Sequence, residues 1–174
     1  MKQKVAFCTL GCKVNQYESE AVLEQFLARG FEEVDFAEKA DVYVINTCTV
    51  THLSDRKSRQ MIRRVKQLNP DAVLVAMGCY VQTNQQAVLD IPEVDILIGT
   101  AERKDVPGVV ARFTIHKERI NLVHEKTDTC FESLQIDGSG QAHTRAYLKV
   151  QDGCNQFCSY CIIPMQEGAS AQEA

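Results

Sequence analysis

The chain has 174 residues, 45% of them hydrophobic and 24% charged, with a net charge of −4 at pH 7. That length suits one domain, or one domain with a fragment of another, and a core of this size needs no disulfide staples. The negative balance excludes a chain that is basic throughout, so any contact with nucleic acid must use a local patch.

The first predicted element is a short apolar run at residues 4–7, suited to a buried strand. The surrounding N-terminus, MKQKVAFCTLGCKVNQ, does not fit a signal peptide, because its apolar stretch is short and polar residues follow at once. A helical pattern covers residues 16–29. Ala21, Val22, Leu23, Phe26 and Leu27 recur at helical spacing, and Gly30 fits the C-terminal cap. A second core strand follows at 41–45 (DVYVI), then a helix at 54–68 stopped by Asn69-Pro70, then a third strand at 72–77 (AVLVAM). A short helix at 82–89, a strand at 94–98 and a helix at 105–113 complete the series. Strands that are apolar throughout and alternate with helices imply parallel pairing with both sheet faces covered. The expected fold class is therefore α/β, an open and mostly parallel sheet flanked by helices, with right-handed crossovers, over residues 1–113.

Residues 114–143 are mixed and polar and read as a linker, with Gly138-Ser139-Gly140 inside it and a short extended piece at 120–123. A new strand at 147–150 (YLKV) opens a second unit over 144–164. The last stretch, 165–174 (MQEGASAQEA), is small and polar and is expected to be disordered. No apolar run reaches the ~18 residues of a membrane span. The chain reads as cytoplasmic, with no membrane partner.

Eight cysteines in such a chain point to metal ligands or redox groups before structural disulfides. Cys12, Cys48 and Cys79 are far apart in sequence, yet each follows a predicted core strand by a few residues. In a parallel sheet all carboxyl ends lie along one edge, where ligands bind. Three loops leaving that edge bring three thiols together, and Gly11 and Gly78 beside two of them permit tight turns. The plain alternative is three separately buried cysteines, each packing as a small hydrophobe.

Cys154, Cys158 and Cys161 form C-x3-C-x2-C, a spacing that lets one loop wrap a cluster. A zinc site would want a fourth Cys or His, and His116 and His143 lie upstream, so counting alone leaves zinc open. Tyr160 before the last cysteine favours an iron–sulfur site. Cys8 reads as core, and Cys130 as an incidental thiol. The helix after Cys48 is basic, with Arg56, Arg59, Arg63 and Lys66 on one side. Phosphate contact and a solvated helix face both fit it. Asn15 and Asn46 flank the first two cysteines and read as turn formers. There is no Ser/His/Asp arrangement, paired-carboxylate site or P-loop.

The loop QDGCNQFCSYCIIP resembles the S-adenosylmethionine-binding loop of radical SAM enzymes. With TLGCKVNQYESE, NTCTVT and MGCYVQ upstream, four segments in order resemble the methylthiotransferase family. Lys13-Val14-Asn15-Gln16 is most similar to the branch acting on tRNA N6-threonylcarbamoyladenosine, ahead of the isopentenyladenosine and ribosomal-protein aspartate branches.

The resemblance implies two [4Fe–4S] clusters. Cys154, Cys158 and Cys161 would hold the one that binds S-adenosylmethionine, with Tyr160 beside the cofactor, and Cys12, Cys48 and Cys79 would hold the auxiliary one. It implies transfer of a methylthio group to C2 of adenosine 37 in a tRNA anticodon loop, with an electron donor as a further partner. A radical SAM barrel needs more strands than follow here, and the family pattern stops at Pro164. The chain alone is therefore expected to be inactive. The competing expectation is a non-catalytic iron–sulfur or zinc module.

Overall fold

The computed structural model describes residues 2–124, 131–134, 136, 147–164 and 170–172. Its centre is a six-stranded sheet, parallel at every pairing. In chain order the elements are β1 (Lys4–Thr9), α1 (Lys13–Ala28), β2 (Glu32–Val34), β3 (Val42–Thr47) and α2 (His52–Leu68). They continue with β4 (Val73–Gly78), α3 (Cys79–Thr83), α4 (Gln85–Leu89), β5 (Ile96–Ile98), α5 (Val106–His116) and β6 (Ile120–Leu122). The spatial order is β2-β1-β3-β4-β5-β6.

Two apolar layers sandwich this sheet, as continuous apolar strands require. On one face Ile62 and Val65 of α2, with Val81 and Val88 of the two short helices, pack on Tyr43, Ile45, Leu74 and Leu97. On the other, Val22 and Phe26 of α1 and Val106, Val110 and Phe113 of α5 pack on Val44, Val75, Met77 and Ile96. Every residue of β3 and β4 is buried, because both strands are central and covered on both faces. The α/β expectation is met.

Local chemistry sets the helix ends. Thr51 caps α2, its hydroxyl accepting from the Ser54 amide at 3.1 Å, so the helix starts two residues earlier than expected. Asp105 caps α5 in the same way through the Gly108 amide at 3.0 Å. The single helix expected at 82–89 is two short ones, broken at Asn84, and the first begins on Cys79 itself.

The remaining differences lie at edges. Strand β2 escaped the sequence reading because Glu32 and Glu33 lack an apolar pattern. It is an edge strand, where charge also discourages pairing with another chain. Strand β6 lies inside the expected linker, so the sheet continues past residue 113. Arg119 anchors it, donating to the carbonyls of Leu89 at 2.7 Å and Ile91 at 2.6 Å. Residues 147–150 are not a strand. The pairing starts later, where β7 (Gln151–Asp152) meets β8 (Ala171–Gln172) antiparallel. Two residues of the expected disordered tail are thus in a strand, while 165–169 and 173–174 lie outside the described residues, as do Gly138-Ser139-Gly140. No helix of the described residues is long and apolar enough to cross a membrane.

Candidate metal centre

The strand order reverses between β1 and β3, since β1 connects outward to β2 while β3 leads to β4 and β5. Ligands of open α/β sheets bind at such a switch point, outside the carboxyl ends of the strands. Register brings the three upstream cysteines to that edge. Thr9 pairs with Asn46 and Thr47 with Gly78, so Cys12, Cys48 and Cys79 all leave adjacent strands within three residues of their ends.

The loops are tightly fitted. Gly11 has φ +105°, and a Cβ placed there would lie 2.8 Å from Cys48 Cβ and 2.9 Å from Cys48 Sγ. Only glycine lets the Cys12 loop lie against Cys48. Gly78 has φ +96°, and its Cβ would meet the Asn46 side chain and the Thr47 carbonyl. Cys12 is the N-cap residue of α1 but makes no capping bond; its thiol donates instead to Asn15 Oδ1 at 3.6 Å. Cys12 is exposed, Cys79 half-buried and Cys48 buried.

Both flanking asparagines spend their amide hydrogens on protein. Asn15 Nδ2 donates to Leu10 O at 2.7 Å and Thr47 O at 3.1 Å, and Asn46 Nδ2 to Asn15 O at 2.9 Å and Ser19 Oγ at 3.2 Å. They shape the loops, as turn formers do. Asn46 Oδ1 is buried beside Gly78 with no hydrogen-bond partner among the described residues. Sequence reasoning missed Ser58. This buried hydroxyl of α2 accepts from the Cys48 amide at 3.4 Å and donates to the Cys48 carbonyl at 3.2 Å. A lone serine in a basic helix carries no signal of that role.

The second triad is built locally. Gly153 turns the chain at φ 69°, the Gln156 amide points at Cys154 Sγ at 3.4 Å, and the Cys161 amide bonds Cys158 O at 3.0 Å. Cys154 and Cys161 are half-buried and Cys158 is exposed. Tyr160 is 91% exposed. Tyr160 and Cys161 share a cleft of about 610 Å³ with Thr51, His52 and Asp55 from the Cys48 side and Asn84 from the Cys79 side. Asp55 Oδ1 is buried without a partner among the described residues.

Among the described residues no three His, Cys, Asp or Glu side chains converge on a single-ion site. The six cysteines are grouped by strand end and by loop. Two sets of three thiols are the donor type that iron–sulfur clusters take, and the glycine turn at Gly11 leaves backbone close to Cys48. The basic helix is partly occupied: Arg59 donates to Tyr80 OH at 2.9 Å, and Lys66 donates to Ala72 O at 2.8 Å and pairs with Asp95 at 3.3 Å. Arg56, Lys57, Arg63 and Arg64 remain exposed. Cys8 lies in β1, where burial pushes its thiol above the ordinary range and Arg64 offsets part of the effect. Cys130 lies outside the described residues.

Residues 4–99 match the family described as "Uncharacterized protein family UPF0004". The chain is 47% identical over 165 residues to the threonylcarbamoyladenosine tRNA methylthiotransferase MtaB of Bacillus subtilis (strain 168), covering 94% of this chain and 36% of that protein. It is 41% identical over 170 residues to the protein of the same name from Aquifex aeolicus (strain VF5), covering 95% and 40%. A tRNA-2-methylthio-N(6)-dimethylallyladenosine synthase of Roseobacter denitrificans is 31% identical over 171 residues, covering 96% and 38%. The chain thus spans less than half the length of these relatives. Their names agree with the resemblance carried by the four cysteine-bearing segments, and the match over most of the parallel sheet shows that this chain belongs to the UPF0004 family.

Proposed function

We propose that this chain is the N-terminal portion of a radical SAM methylthiotransferase that modifies C2 of N6-threonylcarbamoyladenosine at tRNA position 37. In this reading Cys12, Cys48 and Cys79 hold an auxiliary [4Fe–4S] cluster. Cys154, Cys158 and Cys161 hold the one that takes S-adenosylmethionine. The observation that carries it is the placement of one cysteine at the end of each of three adjacent strands around the switch point. Two relatives named for this activity match nearly the whole chain. Bound clusters and S-adenosylmethionine would supply the radical that takes hydrogen from an unactivated aromatic C–H and the methylthio group that replaces it.

The protein's own part is placement and exclusion of water. Three thiols in each set would leave one iron of a four-iron cluster without a protein ligand. Gly11 and Gly78 bring backbone close to the first set. Tyr160 presents a ring beside the second, and the cleft it lines faces Asp55 and Asn84 from the first domain. Exposed Arg56, Lys57, Arg63 and Arg64 offer phosphate contacts to a tRNA whose target base is splayed from its loop. An external electron donor completes the partners.

Anaerobic reconstitution with iron and sulfide, followed by reduction and electron paramagnetic resonance, tests the assignment. S-adenosylmethionine should alter the signal of the reconstituted chain. The alteration should vanish in Cys158→Ala and persist in Cys48→Ala. Stoichiometric zinc with no iron uptake would overturn both cluster assignments.

A further inference from the structure

Five ionisable side chains from four separate segments meet in the interior, none of them a cysteine-set residue. Glu18 lies on α1, Arg103 precedes α5, Glu132 lies in the connecting segment, and Lys149 and Asp152 precede Cys154. Their side chains are between 1% and 10% exposed. Glu18 is shared: Oε2 meets Arg103 Nη1 at 2.5 Å and Oε1 meets Lys149 Nζ at 3.0 Å. Lys149 also holds Asp152 at 2.7 Å. Glu132 takes both the Arg103 amide at 2.6 Å and its Nε at 2.7 Å.

The same helix meets the same segments at two further points. Lys13 Nζ lies 5.3 Å from the centre of the Tyr147 ring, and Tyr17 donates to Leu134 O at 2.5 Å. Lys13 and Tyr17 are one turn apart and share a face with Glu18 beside them. Gln25, two turns further along α1, holds the Arg103 loop through the Arg103 carbonyl at 2.8 Å and the Val106 amide at 3.2 Å. So α1, whose N-cap residue is Cys12, receives the segment that leads into Cys154.

Two cations facing three carboxylates is a costly way to fill a core. Burying ions forfeits hydration, and apolar residues of similar volume often serve stability as well or better. What ion pairs add is register, because each charge tolerates one arrangement of partners. Burial disfavours the charged form of Arg103, yet Glu18 and Glu132 outweigh it and hold the guanidinium above its ordinary pKa. Burial likewise opposes the charge on Lys149, Glu18 supports it, Arg103 opposes and Asp152 supports, with a net rise. All the cations in the network therefore stay charged at neutral pH.

We propose that Glu18, Arg103, Glu132, Lys149 and Asp152 form a latch that docks the second cysteine loop on helix α1 and so sets its position relative to the first cysteine set. These are positioning residues. The distance along α1 from Cys12 to Glu18 is about 9 Å at the helical rise, and Lys149 stands five residues before Cys154, so short stretches of chain join the latch to both sets. Its bearing on catalysis rests on the two-cluster reading; the docking itself does not.

Hydrogen exchange on the metal-free 174-residue chain tests it, independently of whether either set holds iron. Lys149→Met should speed exchange of amides in 147–161 by roughly a hundredfold, since it leaves Asp152 buried without its cation and Glu18 with Arg103 alone, while β3 and β4 keep their protection. Lys149→Arg, which returns the charge on a larger side chain, should loosen the segment at least about tenfold less than Lys149→Met does. Glu18→Gln should loosen the same segment, and Asp152→Asn serves if Lys149→Met does not fold. Unchanged exchange in 147–161 would overturn the proposal. So would loosening spread equally over β3 and β4, which would make the network a general stabiliser.

Discussion

The two cysteine sets solve one problem by opposite means. Cys154, Cys158 and Cys161 lie along one short loop, where the Cys158 and Cys161 amides bond back to the carbonyls of Gln156 and Cys158. Cys12, Cys48 and Cys79 are carried to one sheet edge by the ends of three adjacent strands, and nothing local relates them. A local loop tolerates change around it, because its geometry needs few neighbours. A set assembled by topology depends on the packing of the whole domain, and the buried Cys48 belongs to that packing. The first set should therefore be sensitive to packing substitutions that leave every thiol intact, whereas the second should keep its own turn and depend on other residues only for where it docks.

The sharpest way to break this comparison is at the glycines. Gly11→Ala should cost about 3 kcal/mol in urea unfolding, combining a left-handed backbone with a clash against Cys48. Gly30→Ala has a similar backbone, φ +84°, but open space around it, and should cost only about 1 kcal/mol. Equal costs at the two positions would mean that the Cys12 loop is not pressed against Cys48.

Ser58→Ala should cost about 1–2 kcal/mol in the same assay, since it leaves the Cys48 amide buried without its acceptor. Removal of the Cys48 side chain should destabilise the metal-free chain by about 1–2 kcal/mol, and Cys158→Ala by less than about 0.5 kcal/mol. A stability loss for Cys158→Ala as large as that for Cys48→Ala would erase the distinction between a packed thiol and a surface one.

The smallest effect is one of rate. Burial raises the Cys8 pKa, so the folded state resists its ionisation and the stability tied to it is lost as pH rises past the ordinary thiol range. At pH 8 alkylation should be slower at Cys8 than at exposed Cys12 and Cys158, read by mass spectrometry of the modified peptides.

The sequence made the sheet legible because its central strands are apolar throughout; DVYVI and AVLVAM admit few other readings. Spacing singles out the second cysteine set and position after each strand the first, and strand register places those first three at one sheet edge. The sequence concealed β2, whose Glu32 and Glu33 follow edge logic; it showed the extended piece at 120–123 that becomes β6, but not that this piece joins the main sheet, where Arg119 reaches the Leu89 and Ile91 carbonyls. It suggested a strand at 147–150, where Lys149 instead turns inward to Glu18. Long-range ion pairing of that kind leaves no periodic trace. Glu18 sits on α1 beside Ala21 and Val22, and only the fold shows that it is buried there for Arg103 and Lys149.

Counting iron and sulfide after anaerobic reconstitution tests most directly the claim that one chain carries two separately built sites. The account predicts about eight irons per chain. It predicts about four when Cys12, Cys48 and Cys79 are all alanine, and about four when Cys154, Cys158 and Cys161 are. No iron uptake, or loss of all iron when either set is removed, would contradict it.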